Sequence, residues 1–172
     1  MPGINFFEYA RDEDIIEKCP CFGICDDPDE HPAFISYNRT THIWVTTVSN
    51  PELKRIQFLP VDKHIPMVRQ DGTEAKRCDA ILLTHPVHER ETIVFIELKD
   101  AKNADIHYAI EQLKETIEAF SEYHRLTSYK KRLAYVANRR HPQAHRARTR
   151  DIQKFRRDYR ITLKFSSKIV FE

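Results

Sequence analysis

Two short apolar segments in the middle of the chain, residues 77–84 and 92–99, most constrain what this sequence can fold into. Both are rich in aliphatic and β-branched residues and too short for a buried helix, a pattern typical of strands. The turn signal Asp71-Gly72 precedes the first segment, and a polar bend at residues 85–91 separates the two. They are therefore predicted to pair as antiparallel strands at the centre of a sheet.

Three charged residues interrupt these apolar strands. Side chains alternate between the faces of a strand, so Glu97 and Lys99 are predicted to point the same way. Asp79 lies among apolar neighbours, where a carboxylate is costly without a cation as partner. If the strands pair as predicted, Asp79 approaches Glu97, and two converging carboxylates are suited to Mg²⁺. Lys99 would then face a metal-bound water, an arrangement that suits phosphodiester hydrolysis.

These residues resemble the motifs of the PD-(D/E)XK nuclease superfamily. The match consists of RCDAIL at residues 77–82 and FIELKD at residues 95–100, within a similarity that covers residues 55–137. The resemblance implies a restriction-endonuclease-like core and a catalytic set of Asp79, Glu97 and Lys99. It also implies that Asp79, Glu97 and the backbone carbonyl of Leu98 hold Mg²⁺ or Mn²⁺, and that Lys99 orients the attacking water.

Some family features match this chain less well. Cys78 stands where a proline often precedes the family's aspartate. Many members carry an upstream glutamate, for which Glu17 and Glu52 are both candidates. Gln112 resembles a glutamine of some branches, but Thr116 stands where those branches have tyrosine.

The rest of the chain is predicted to complete an α/β (α+β) fold, a central mixed β-sheet flanked by helices in a single domain over residues 1–172. The prediction places an N-terminal helix around residues 4–17, a β meander, an amphipathic helix capped by Asn103, a strand, a basic helix and a C-terminal β-hairpin. The meander comprises residues 33–37, 42–48 and 55–61. The apolar positions of the amphipathic helix are Ile106, Ile110, Leu113, Ile117 and Phe120. The later strand covers residues 132–137, the basic helix 143–159, and the hairpin 161–165 with 168–171.

Charge is distributed unevenly along the chain, although the net charge is only +2. Residues 1–31 hold nine acidic and two basic residues, and residues 139–160 hold nine basic and two acidic residues. The basic region is interpreted as a contact for nucleic acid, with DNA favoured over RNA. The arginines assigned to this contact are Arg139, Arg140, Arg146, Arg148, Arg156 and Arg157. A homodimer or a targeting protein partner also stays open.

Other classes of function lose support. Three glycines leave no Gly-rich phosphate loop, and the absence of a long apolar run or a secretory pattern predicts a soluble, cytoplasmic protein without membrane contact. Cys19, Cys21 and Cys25 are a weak candidate site for zinc or an iron-sulfur cluster, because their spacing fits neither well. Two alternatives to a nuclease are an ordinary cross-strand ion-pair cluster and a non-catalytic nucleic-acid-binding or protein-interaction module.

Overall fold

The computed structural model describes residues 3–27, 31–100, 105–140 and 149–172. Its ordered elements comprise ten strands and two α-helices within these ranges. The helices are α1 (Ile106–Tyr123) and α2 (Thr149–Tyr159). The strands are β1 (Ile15–Ile16), β2 (Cys21–Cys25), β3 (Phe34–Ser36), β4 (Thr46–Ser49), β5 (Ile56–Pro60), β6 (Ala80–Thr84), β7 (Thr92–Lys99), β8 (Lys131–Asn138), β9 (Thr162–Phe165) and β10 (Lys168–Val170).

A six-stranded mixed sheet forms the centre of the protein, with strand order β1-β5-β6-β7-β8-β9. The predicted antiparallel pairing of the two central strands is confirmed, with Ala80 opposite Ile96 and Leu82 opposite Val94. β8 lies parallel to β7, and β9 lies parallel to β8. The long connections that parallel strands require are supplied by α1 and by the segment that contains α2.

A second sheet of four strands has the order β10-β4-β2-β3, and it corrects two predictions. The predicted meander is wrong, because β3 and β4 each pair with β2, whereas β5 belongs to the central sheet. The predicted C-terminal hairpin is also wrong, because β9 pairs with β8 and β10 pairs with β4. The sequence pattern predicts most of these strands correctly, but β2 lies outside the predicted strands.

The central sheet is buried on both faces, which explains why its strands have nearly continuous apolar sequences. One face packs against both helices, through residues such as Phe95 of β7, Phe120 of α1 and Phe155 of α2. The other face packs against the four-stranded sheet, with Ile96 of β7 and Phe22 of β2 in the shared core. The predicted class, a mixed sheet with packed helices, is confirmed.

The ends of the helices differ from the predictions. Asp105 caps α1 by accepting a hydrogen bond from the Tyr108 amide at 3.0 Å, and Asn103 lies outside the described residues. α2 is described from Thr149, so the predicted start of the basic helix at residue 143 also lies outside them. The predicted N-terminal helix is replaced by two 3-10 turns, Phe6–Tyr9 and Asp12–Asp14, followed by β1. No helix in the described ranges is long and apolar enough to cross a membrane.

Candidate active site

Asp79 and Glu97 lie opposite each other at the end of the β6–β7 pair, one position beyond Ala80 and Ile96. Asp79 immediately precedes β6, and its backbone amide donates to the Ile96 carbonyl at 3.0 Å. Its carboxylate Oδ2 accepts a hydrogen bond of 2.6 Å from the Leu98 amide. The side chain of Asp79 therefore continues the ladder where the pairing of the two strands ends, which fixes the carboxylate beside β7.

Glu97 is almost completely buried, with 1% of its surface exposed. Glu97 shares the face of β7 that α1 covers, together with Phe95, so its side chain does not face solvent. Its Oε1 accepts a hydrogen bond from the Lys99 ammonium at 2.5 Å. Its Oε2 is buried and has no hydrogen-bond partner among the described residues. A buried oxygen without a partner is costly, so this atom indicates a place for a cation or a water.

Lys99 is held by two groups from different elements. Its Nζ contacts Glu97 on one side and donates to Gln112 Oε1 of α1 at 3.2 Å on the other. Gln112 Nε2 in turn donates to the Arg77 carbonyl at 2.9 Å, so the glutamine connects the helix to β7 and to the segment before β6. Thr116 Oγ1 accepts from the Cys78 amide at 2.8 Å. Gln112, noted in the sequence, thus lies where it can position Lys99.

The environment favours the neutral forms of both carboxyl groups. Burial raises the pKa of Asp79 to about 7, against an opposing effect of the Leu98 amide. Burial also raises the pKa of Glu97 well above its usual range, and the neighbouring Asp79 adds to this while Lys99 opposes it. A pair of carboxyl groups with raised pKa values in one place is a common property of functional sites.

Two further carboxylates near this pair were missed by the sequence prediction. Asp26 follows β2 and Asp62 follows β5, and both raise the pKa of Asp79. Asp62 accepts a hydrogen bond from Arg77 Nε at 3.2 Å. The sequence carries a usable signal for Asp62, because antiparallel pairing places the residues that follow β5 beside those that precede β6, and the Asp62 amide donates to the Cys78 carbonyl at 3.2 Å. Asp26 has no such signal, since it comes from the other sheet.

The structure places the two candidate upstream glutamates elsewhere. Glu17 forms an ion pair with Arg55, beside the start of β5. Glu52 pairs with Lys54, which also contacts Glu91 just before β7 begins. Both therefore lie at the end of the central strands opposite to Asp79.

The predicted arginine contacts divide into three groups. Arg139 and Arg140 follow β8 and both hydrogen-bond Asp100 at 3.0–3.1 Å, directly beside Lys99. Arg156 and Arg157 are exposed on the second half of α2, away from the carboxylates. Arg146 and Arg148 lie outside the described residues. The structure brings only the first pair to the candidate site.

The cysteines give little support to a second metal site. Cys21 and Cys25 are the ends of β2; Cys21 is exposed, Cys25 is buried, and all four cysteines are free thiols. Burial raises the pKa of Cys25 to about 11, which disfavours the thiolate that binds metals. In the part of the chain that the structure describes, no group of three or more His, Cys, Asp or Glu side chains is arranged to hold a metal ion.

Comparisons of the chain with protein-family models, with curated proteins and with solved structures find no match.

Proposed function

We propose that this protein is a metal-dependent nuclease that hydrolyses phosphodiester bonds, with DNA as the favoured substrate. The observation that carries the proposal is the buried carboxylate of Glu97, with Asp79 across the strand pair, Lys99 on one oxygen and no described partner on the other. The order of β6, β7, α1 and β8 also agrees with the PD-(D/E)XK resemblance. The family assignment is part of the proposal.

The residues fit a hard divalent cation. Asp79 and Glu97 supply carboxylate oxygens, and Glu97 Oε2 is a buried acceptor in need of a positive partner. The N–H and C=O groups of a strand residue point toward the same neighbouring strand, and the Leu98 amide points at Asp79. The Leu98 carbonyl is therefore available on the same side. Mg²⁺ commonly binds through one or two carboxylates and several waters, so a third carboxylate is not needed.

A bound Mg²⁺ or Mn²⁺ would lower the pKa of a water and neutralise charge on the phosphate. The protein's own contribution centres on Lys99, whose ammonium is held between Glu97 and Gln112 at 20% side-chain exposure. From this position Lys99 can donate a hydrogen bond to the attacking water and stabilise negative charge as the hydroxide forms. Asp79 and Glu97 act as fixed oxygen ligands because both are hydrogen-bonded in place.

Nucleic acid would reach this site along a basic surface. Arg139 and Arg140 lie next to Lys99 in the structure, and both carry exposed guanidinium groups. Both arginines pair with Asp100, and this contact holds the two arginine side chains close to the site. Contacts of these arginines with phosphates would position the strand, and release of counterions would contribute to affinity.

A cleavage assay tests the proposal directly. Wild-type protein and Lys99→Ala are incubated with single-stranded DNA, duplex DNA and RNA in Mg²⁺, Mn²⁺ or EDTA. Cleavage is expected with wild type and a divalent cation, and is expected to be lost in EDTA and strongly reduced in Lys99→Ala. Binding without cleavage under every condition would favour the non-catalytic module. Equal cleavage by both proteins would indicate a contaminating nuclease.

A further inference from the structure

A pocket in the four-stranded sheet lies next to the candidate active site and has no role in the proposed chemistry. It has a volume of about 390 Å³, and its walls include Arg39, Ile43, Trp44, Thr47 and Arg139. We call it the Arg39 pocket. Its size falls within the range of small-molecule sites.

Trp44 and Arg39 form a layered wall of this pocket. A Cβ atom added to Gly23 would lie 2.0 Å from the indole ring, so the ring rests directly on the backbone of β2. Because Gly23 occupies one face of the indole, the other face is left to Arg39, whose guanidinium carbon lies 4.4 Å from the ring centroid. Arg39 Nη2 donates to Thr47 Oγ1 at 3.1 Å, which fixes the guanidinium plane.

Several properties of this wall suit a flat aromatic ligand. Among the described residues, no carboxylate lies within ion-pair distance of Arg39, whose guanidinium contacts Thr47 and Trp44. A guanidinium plane supported by tryptophan offers a stacking surface for a nucleobase. The exposed side chain of Ile43, with 66% of its surface accessible, adds an apolar edge to the same pocket. A site for phosphate alone would not require this edge.

The pocket is connected to Lys99 through Arg139. Arg139 contributes to the pocket wall, its amide donates to the Lys99 carbonyl at 3.2 Å, and its side chain hydrogen-bonds Asp100. A strand bound with one phosphate at the carboxylates would therefore carry a neighbouring nucleotide toward Arg39.

We infer that the Arg39 pocket binds an unpaired nucleobase of the substrate strand, and that the protein acts on single-stranded or frayed nucleic acid. The inference rests on the proposed nuclease function and specifies its substrate class. A base within a duplex is stacked on both faces and paired along its edge, so it cannot present a face to Arg39. An unpaired base can, and stacking of this kind tolerates any sequence.

Emission of Trp44 gives a local measurement of this binding, because it is the only tryptophan in the chain. The full-length protein is titrated with oligothymidine in EDTA, where no cleavage takes place. A saturable change in emission is expected, and thymidine is expected to compete whereas inorganic phosphate is not. Competition by phosphate with no effect of thymidine would overturn the inference and identify an anion site.

Two substitutions of Arg39 separate stacking from charge. Arg39→Ala and Arg39→Lys should each weaken binding of a fluorescein-labelled single strand on the order of tenfold, because lysine keeps the charge but lacks the plane. Binding of duplex should be unaffected. Arg125→Gln is the matched control, since Arg125 is exposed near the start of β8, at the other end of the sheet. Wild-type affinity in Arg39→Lys would overturn the inference.

The two proposals can fail separately. Binding in EDTA that depends on Arg39, together with no cleavage in any metal, would retain the pocket and reject the nuclease. Cleavage that depends on Lys99, together with Arg39 variants that bind single strands like wild type, would retain the nuclease and reject the pocket.

Discussion

The Asp79 carboxylate accepts the hydrogen bond of the Leu98 amide, a role that a backbone carbonyl of the next strand usually fills. Asp79 is therefore both part of the sheet and a candidate metal ligand. Replacements of this residue have to separate these two functions.

Asp79→Asn should retain the fold because its amide oxygen can still accept from Leu98. Asp79→Ala leaves that buried amide without an acceptor and should cost about 1–3 kcal/mol more in free energy of unfolding. Both variants should lose metal binding. Chemical denaturation and calorimetric titration with Mn²⁺ measure the two effects, and equal stability of the variants would mean that the hydrogen bond contributes little.

The stability of the metal-free protein should fall as pH rises, because of Asp79. Its pKa is about 7 in the folded protein and 3.8 ordinarily, so between these values the folded state binds the extra proton. The contribution of Asp79 to the free energy of unfolding is fully present below about pH 4 and is lost as pH rises through 7. From about pH 5.5 to 8, this titration lowers the free energy of unfolding by about 2 kcal/mol.

Burial lowers the pKa of His124 to about 4, which has the opposite effect between about pH 4 and 6.5. The comparison of wild type with Asp79→Asn at each pH cancels the effect of His124, and the difference reports Asp79 together with its effect on the pKa of Glu97. Thermal melts in EDTA measure the difference. Asp12→Asn, at an exposed carboxylate, is the control and should follow the wild-type curve.

Lys99→Ala should retain metal binding and lose cleavage by a factor on the order of 10² to 10³. Glu97→Gln should lose both. Glutamine is the informative replacement because Glu97 is buried, and alanine would leave a cavity beside Lys99. Glu111 and Lys114 form a similar pair at 2.7 Å on α1, so Glu111→Gln and Lys114→Ala are matched controls. Cleavage by purified Glu97→Gln at the wild-type rate would contradict the assignment.

Charge reversal on α2 should weaken binding of nucleic acid. The double variant Arg156→Glu, Arg157→Glu changes two exposed side chains, and each lost phosphate contact should reduce the salt slope by about 0.9 for duplex or about 0.7 for single strands. Arg11→Glu combined with Lys18→Glu applies the same charge change beside β1, at the opposite edge of the central sheet from β9 and α2. Identical affinities for both double variants across a salt titration would show that α2 is not a specific contact.

Gly23→Ala should destabilise the protein by about 1–3 kcal/mol, because the new Cβ overlaps the Trp44 ring. The emission of Trp44 should shift at the same time, since the ring has to move. Gly3→Ala is the control: its Cβ would meet ordinary contacts of 3.5 Å or more. Denaturation curves and emission spectra of both variants provide the measurement.

The sequence predicts the local parts of this structure better than its long-range pairings. β6 and β7 are neighbours in the chain, so their apolar pattern and short connection predict the pairing that is observed. The partner of β10 is β4, far away in the sequence, and no local pattern specifies this choice. The adjacent segments 161–165 and 168–171 therefore suggest a hairpin that does not form.

In the candidate site, too, the local features follow from the sequence and the long-range contacts do not. The shared face of Glu97 and Lys99 follows from the period of a strand, and both residues contact each other as expected. The burial of Glu97 depends on α1, which packs over that face. The alternation of side chains along one strand does not specify which element covers each face. The approach of Asp26 to Asp79 depends on the position of one sheet over the other, and it has no local signature.

The pairing of β4 with β10 has a consequence for how the protein is made. Thr46 Oγ1 donates to the Ser167 carbonyl across 121 positions of the chain, so this part of the sheet closes a very long loop. During synthesis β4 is an open edge until β10 leaves the ribosome, and an open edge can pair with other chains. The protein is therefore exposed to aggregation during translation, and late closure by β10 is expected to limit its folding rate.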